Sequence, residues 1–130
     1  MDAPVPSRAA HAPTALGRRG EEAAAAEAER RGGRILARNV RIRSGEIDLV
    51  WEDRGTIAFA EVKTRSAEGY GSGAEAVTPL KQSRMRRAAA WWLAQRFPRA
   101  VEPPCRFDVV EITWRDGASP RITWIEHAFE

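Results

Sequence analysis

Residues 45–65, with the sequence GEIDLVWEDRGTIAFAEVKTR, have the alternation of two β-strands joined by a short turn. The dipeptide Arg54-Gly55 predicts a two-residue turn, so Asp53 faces Thr56 across the hairpin. A four-residue turn would give the same register. The stretch therefore predicts which side chains of the two strands lie opposite each other, provided that neither strand contains a bulge.

Charged side chains interrupt the apolar pattern in the middle of both strands. In the predicted register Asp48 lies directly opposite Glu61, and Glu46 lies opposite Lys63. Because residues two apart share a face of a strand, these four side chains would form one polar patch. Directly opposed β-carbons lie roughly 4.5–5.5 Å apart, and like charges placed there destabilise a sheet. A one-residue bulge would instead send Asp48 and Glu61 to opposite faces.

Two interpretations of this patch fit its spacing equally well. In the first, Asp48 and Glu61 bind a divalent cation such as Mg²⁺, which prefers oxygen ligands and keeps waters for a phosphate substrate. Lys63 would then orient a water or neutralise charge that develops on a phosphate. In the second, Glu46 and Lys63 form a cross-strand ion pair, and arginines or backbone N–H groups satisfy the two acids.

The length of 130 residues predicts a single domain at 14–130, preceded by a disordered tail at 1–13 that is rich in Ala and Pro. The tail does not resemble a secretion signal, and no apolar run is long enough to cross a bilayer. The single Cys105 has no partner for a disulfide, and two histidines are too few for a zinc site. We therefore expect a cytoplasmic protein without membrane contact, in which any metal has oxygen ligands.

The formal net charge of +3 is small, but the positive charges are unevenly distributed. Residues 81–99 contain six basic residues and no acidic one, and residues 14–44 contain eight arginines against four glutamates. Basic stretches of this kind suit a polyanion, of which nucleic acid is the commonest. A solvated face on an arginine-rich protein explains the charges equally well.

Helices are predicted before and after the first three strands. Thr14 can cap a helix that runs to about Arg31, and RILARNVRI follows as the first strand. Thr78-Pro79 starts a second helix that ends near Phe97, after a Gly- and Ser-containing loop of the kind that often carries function. Its residues expected in the core, from their helical spacing, are Met85, Ala88, Ala89 and Trp92, with Arg96 on the same side and Trp91 ambiguous.

Two further strands, CRFDVVEITW and RITWIEH, flank a turn at Asp116-Gly117. The element order is therefore α-β-β-β-α-β-β. This order predicts an α/β fold in which helices flank a central mixed five-stranded sheet.

Five stretches of the chain resemble, in the right order, the YraN-like family of small bacterial proteins, which belongs to the restriction-endonuclease-like PD-(D/E)XK superfamily. The stretches are Gly17-x-x-Gly20-Glu21-x-x-Ala24, GEIDLV at 45–50, EVKTR at 61–65, AVTPLKQSR at 76–84 and RFDVV at 106–110. The resemblance covers roughly residues 14–129 and implies a restriction-endonuclease-like core. One departure is His127-Ala128-Phe129, where the family commonly has Asn-Ala-Phe.

The resemblance implies a magnesium- or manganese-dependent site that cleaves phosphodiester bonds. Asp48 and Glu61 match the metal ligands, and Lys63 matches the catalytic lysine. Glu21 matches a first-helix glutamate that faces the metal in related nucleases, although the helix dipole alone also favours an early acid. Expected nucleic-acid contacts are Lys81, Gln82, Arg84, Arg87 and Arg65.

Some of these contacts have structural alternatives. Lys81 and Gln82 would then be ordinary surface residues, and Arg65 and Asp108 would pair with each other or with Arg106. The chain has 19 arginines and two lysines, Lys63 and Lys81, which favours a specific use of the ammonium at position 63.

The leading functional interpretation is a metal-dependent nuclease acting on DNA, with structured or damaged DNA as expected substrates because so small a domain has little room for base readout. The alternatives are a nucleic-acid-binding module without activity and a protein partner in DNA uptake or genome maintenance. Related nucleases are often homodimers, and the sequence leaves the oligomeric state open.

Overall fold

The computed structural model describes residues 14–66, 77–97 and 102–130. The expected tail at 1–13 and the Gly- and Ser-containing loop at 67–76 lie outside these ranges. The described elements are helix α1 (Ala15–Arg30), strands β1 (Arg34–Ile42), β2 (Gly45–Asp53) and β3 (Thr56–Ser66), helix α2 (Pro79–Arg96), and strands β4 (Cys105–Trp114) and β5 (Arg121–Phe129). The predicted order of elements is confirmed.

The five strands form one sheet in the order β1-β2-β3-β4-β5. Strands β3 and β4 are parallel, and the other neighbours are antiparallel. Because parallel neighbours need a crossover connection, α2 lies between β3 and β4 in the chain. The predicted α/β fold with a mixed sheet flanked by two helices is therefore confirmed.

Helix α1 packs closely on the sheet because its inward residues are small. Thr14 Oγ1 caps the helix by accepting a hydrogen bond from Gly17 N at 2.9 Å. A Cβ at Gly20 would overlap Thr64 Oγ1 of β3, so glycine permits this approach. The helix and the sheet bury what we call the α1-facing core, formed by Ala24, Ala25, Ala28, Leu49, Trp51, Ala58, Ala60, Val110 and Ile112.

Helix α2 covers the other face of the sheet. The α2-facing core includes Val40, Ile42, Ile47, Val50, Ile57, Phe59, Met85, Ala88, Ala89, Trp92 and Leu93. The predicted apolar side of the helix is confirmed, and Trp92 stacks edge-on against Phe59 with ring centroids 5.9 Å apart. Trp91 packs at the edge of this core, whereas Arg96 is exposed with its guanidinium over the Trp92 ring. No described helix is both long and apolar enough to cross a membrane.

The turn and the register of the β2–β3 hairpin follow the prediction. Arg54 and Gly55 have φ angles of 50° and 87°, which a two-residue turn of this type requires. Asp53 pairs with Thr56, and the ladder continues in the predicted register as far as Leu49↔Ala60.

Strand alternation breaks at Asp48. Its neighbours Ile47 and Leu49 lie two residues apart, yet Ile47 joins the α2-facing core and Leu49 joins the α1-facing core. Opposite Asp48 on β1, Asn39 has a φ of 52°. The unbroken alternation assumed for the patch is therefore not observed at Asp48, just beyond Leu49↔Ala60, the last pair of the β2–β3 ladder.

Candidate functional site

The carboxyl groups of Asp48 and Glu61 meet where the β2–β3 ladder ends. Asp48 is half-buried, and its Oδ2 accepts a hydrogen bond from Val62 N at 2.8 Å. The Glu61 carboxyl group lies near enough to raise the pKa of Asp48, in addition to the larger effect of burial. The irregular strand thus keeps the two acids together by a route other than the predicted alternation.

Lys81 supplies the positive charge that contacts Glu61. Its Nζ lies 2.5 Å from Glu61 Oε2, in an ion pair that lacks regular hydrogen-bond geometry. The Glu61 side chain is 7% exposed and that of Lys81 is 45% exposed. Thr78 Oγ1 caps α2 by accepting a hydrogen bond from Lys81 N at 3.1 Å. This cap and the start of the helix place the lysine over the acid.

Glu21 reaches the same region from α1. Its side chain is hydrogen-bonded to Asn39, the β1 residue with positive φ, and it interacts electrostatically with Arg41 and Glu61. Because Gly20 lets α1 approach β3, the adjacent glutamate comes close to the two strand acids. Three acids from three elements therefore contribute to one acidic cluster, which consists of Glu21, Asp48 and Glu61.

The ionisation of the cluster reflects burial and mutual repulsion. Burial raises the pKa of Asp48 well above its usual value, and the neighbouring Glu61 and Glu21 raise it further. Burial also raises the pKa of Glu21, against the opposing effect of Asn39. Burial lowers the pKa of Lys81, but its contact with Glu61 outweighs this effect, so the pKa is raised overall. An additional positive charge would therefore be favourable at this cluster.

A cleft of about 150 Å³ opens to Asp48 between α1 and the edge of the sheet. The residues that line it are Arg18, Glu21, Glu22, Arg38, Asn39, Asp48 and Leu49. Arg38 forms an ion pair with Glu22, with NH1 and Oε1 2.8 Å apart. The cleft therefore connects the acidic cluster to solvent, and the arginines that line it can bind an anion.

The remaining predicted site residues lie around the cluster in different settings. Lys63 is half-buried and, two residues after Glu61 in a regular part of β3, lies on the face that carries Glu61. Gln82 Nε2 donates to Val77 O at 2.9 Å, and its Oε1 accepts from Arg86 at 3.1 Å, so both ends of the amide are engaged within α2. Among the predicted nucleic-acid contacts, Arg87 is exposed, and Arg84 and Arg65 are half-buried.

A second group of buried charges lies at the hairpin end of β2. Arg106 forms ion pairs with Asp108 at 2.9 Å and with Asp53 at 3.0 Å, and all three side chains are at most 8% exposed. Asp108 also accepts hydrogen bonds from Trp124 Nε1 at 2.9 Å and from His127 N at 3.3 Å. The expected pairing of Asp108 with Arg106 is thus observed. Because Asp108 is buried and its carboxylate is bound by Arg106, Trp124 and His127, we assign it a structural role.

Sequence reasoning missed two features of the site. Asn39 was assigned to an ordinary strand, although asparagine tolerates positive φ and was a signal of irregular backbone. Lys81 was expected to contact phosphate, and its ion pair with Glu61 was not foreseen. Only the docking of α2 on the sheet brings these two residues together.

A family model matches residues 20–112, which include the three acids of the cluster. The chain belongs to the uncharacterised protein family UPF0102. This is the YraN-like family that the five sequence stretches indicated.

Curated UPF0102 relatives match most of the chain. A UPF0102 protein of Symbiobacterium thermophilum is 48% identical over 88% of this chain and 95% of its own length. One of Geobacter sulfurreducens is 47% identical over 88% of both chains. A relative from Acidothermus cellulolyticus is 43% identical over 92% of this chain and 97% of its own. The UPF0102 resemblance therefore covers most of the chain.

The donor set of the cluster suits a hard divalent cation. Among the residues at 14–66, 77–97 and 102–130, no three metal-ligating side chains stand together as a ready-made site. Mg²⁺ is commonly bound through one or two carboxylates, with water and substrate phosphates completing its shell. The carboxyl groups of Asp48 and Glu61 are two oxygen donors of this kind that lie close together.

Proposed function

We propose that this UPF0102 protein is a divalent-metal-dependent nuclease that hydrolyses phosphodiester bonds in DNA, using a PD-(D/E)XK type of site. The observation that carries the proposal is the convergence of the Asp48 and Glu61 carboxyl groups where β2 and β3 separate. In a purely structural patch, two adjacent acids would be unfavourable, because they repel each other and would also repel a phosphate. A bound Mg²⁺ or Mn²⁺ would offset the repulsion between the two acids and would attract the phosphate.

The proposed reaction assigns a role to each residue of the site. Asp48 and Glu61 would hold the cation, which supplies Lewis-acid stabilisation of charge on phosphate and a more acidic water. Asp48 is oriented by the Val62 amide, which keeps one of its oxygens fixed. Lys63 would orient the attacking water or neutralise charge that develops on phosphorus-bound oxygens. Glu21 would act from the α1 side, where Asn39 positions its carboxyl group.

The proposed DNA contacts come from both sides of the cluster. Lys81, Gln82, Arg84 and Arg87 belong to α2, whereas Arg65 lies on β3. The cleft adds Arg18 and Arg38 on the α1 side. Phosphate contacts of this kind make binding strongly dependent on salt. The small size of the domain favours structured or damaged DNA over sequence-specific sites.

The test combines metal-dependent melting with cleavage assays. Millimolar Mg²⁺ or Mn²⁺ should raise the melting temperature of the wild type by about 4 °C if the dissociation constant is near 1 mM. Asp48→Asn should abolish the shift, whereas Asp116→Asn, a change at an exposed turn, should retain it. Single-stranded, duplex and junction DNA should then be incubated with both variants. Cleavage lost in Asp48→Asn but kept in Asp116→Asn supports the nuclease.

A non-catalytic nucleic-acid-binding module is the second candidate. The Lys81–Glu61 ion pair favours it, because that pair satisfies Glu61 without a metal. This candidate predicts salt-dependent DNA binding with no metal-induced melting shift and no cleavage. Absence of both DNA binding and metal binding would instead favour a protein partner in DNA uptake or genome maintenance.

A further inference from the structure

The ammonium of Lys81 occupies a position that a metal ion would also use. Its Nζ lies 2.5 Å from Glu61 Oε2, which belongs to a side chain only 7% exposed. Asp48 and Glu46 also act on this ammonium electrostatically. The lysine therefore supplies a positive charge to the same acids that were assigned to the cation.

The helix around Lys81 does not explain its charge. Lys81 is the third residue of α2, and the N-terminal end of a helix disfavours cations. The acids opposite it are therefore what stabilises an ammonium there. The Lys81 side chain has room to move away from Glu61 because it is 45% exposed, whereas the α2 backbone lies closely against Gly45 at Arg84.

We propose that Lys81 is a built-in counterion of Glu61, and that its ammonium and a divalent cation exclude each other at this carboxylate. Both would bind the Glu61 carboxylate, and two positive charges placed there would repel each other. Binding of the cation would release the lysine side chain along its exposed side. The released ammonium would then be available to a DNA phosphate beside the cation. This inference rests on the proposed function, because it assumes a cation at Glu61.

The decisive measurement is the affinity for Mn²⁺ alone, by calorimetry or by electron paramagnetic resonance of the free ion. Lys81→Met and Lys81→Gln should each bind Mn²⁺ about tenfold more tightly than the wild type, because the competing charge is gone. Arg86→Met removes one exposed charge from the same helix and should leave the affinity within about twofold. The Gln variant keeps a polar group near Glu61 and guards against a folding defect in the Met variant.

The outcomes separate this inference from the proposed function. Equal or weaker binding by both Lys81 variants, with normal binding by the wild type, overturns the counterion role and leaves the metal site intact. An equal gain in Arg86→Met also overturns it, because the effect would then be general electrostatics. Absence of Mn²⁺ binding in every variant overturns the proposed function and this inference together.

A second readout uses the rarity of lysine in this chain. Protein labelled with ¹³C-lysine should give two side-chain Cε signals, because Lys63 and Lys81 are its two lysines. Lys81→Gln identifies the Lys81 signal by its disappearance. Addition of Mg²⁺ to the wild type should move this signal to the position of a mobile, solvated lysine. An unchanged Lys81 signal at saturating Mg²⁺ would contradict the release of the ammonium.

Discussion

The backbone carbonyl oxygen of Arg84 in α2 lies against Gly45, the first residue of β2, so closely that a Cβ at position 45 would overlap it. Gly45→Ala should therefore destabilise the protein by about 2 kcal/mol, because neither backbone can yield without moving α2. Urea unfolding of the variant measures this loss. A change of less than about 0.5 kcal/mol would show that the contact is looser than the structure indicates.

Gly20 offers a matched comparison on the opposite face. There a Cβ would overlap the Thr64 side chain rather than backbone. Gly20→Ala should also destabilise, by about 1–3 kcal/mol, but Thr64→Ala in the same chain should recover part of the loss, because it removes the overlapping Oγ1 and keeps the Cβ. Urea unfolding of the two single variants and the double variant gives the coupling energy. Purely additive effects would contradict a direct clash between these two residues.

The buried group around Arg106 predicts a large loss on removal of its charge. Arg106→Met leaves Asp53 and Asp108 buried without their shared cation, which should cost about 3–5 kcal/mol at neutral pH. Arg54→Met is the control, because Arg54 contacts the same Asp53 at 3.3 Å from a side chain that is 90% exposed. It should cost at most about 1 kcal/mol. Similar losses in both variants, measured by chemical denaturation, would refute the buried network as a major source of stability.

Asp48→Asn should stabilise the metal-free protein by about 1 kcal/mol at neutral pH, because it removes carboxylate repulsion and keeps an acceptor for Val62 N. The pKa of Asp48 is raised in the folded state, so folding retains a proton that the unfolded chain releases. Stability that this group contributes below pH 3.8 is lost as the pH rises through the raised value. The advantage of the variant should thus grow with pH. Thermal melts in chelator across pH 4–8 test this, and a destabilised variant would contradict it.

Glu27 predicts the opposite dependence on pH. Hydrogen bonds from Arg30 and Arg31 hold the pKa of Glu27 at about 2, below its ordinary value of 4.5. The stability from this group is therefore present above pH 4.5 and is lost as the pH falls towards about 2. Because Arg30 is 72% exposed, solvent screening limits the effect, and Glu27→Gln should cost about 1 kcal/mol at pH 7. The cost should shrink at pH 3, as measured by urea unfolding at both values.

Local signals were enough to predict the elements and the hairpin register. Thr14 and Thr78 start the two helices, since each side chain caps its own helix. Arg54-Gly55 sets the register because both residues can adopt the positive φ that the turn needs. These features depend on contacts within a few residues of the chain.

The geometry of the candidate site depended on contacts that local patterns do not contain. The predicted alternation of side chains between the two faces of β2 fails at Asp48, opposite Asn39. The spacing of apolar residues in the sequence does not indicate this change. Glu61 forms an ion pair with Lys81, which belongs to a helix that packs on the sheet through its apolar side and through its backbone at Gly45. The sequence predicted that the two strand acids lie together, whereas the ion pair with Lys81 required the tertiary structure.

The parallel pairing of β3 with β4 also has a kinetic consequence. Asp48 and Glu61 belong to one hairpin, whose short loop costs little entropy to close. Helix α2 belongs to the long crossover between β3 and β4, which costs more entropy to close and is expected to form later. We therefore expect the two acids to come together before the ammonium reaches them. Lys81→Gln should accordingly accelerate unfolding and leave the refolding rate nearly unchanged in stopped-flow experiments. Newly synthesised chains would pass through a brief stage in which this acidic pair has no neutralising lysine.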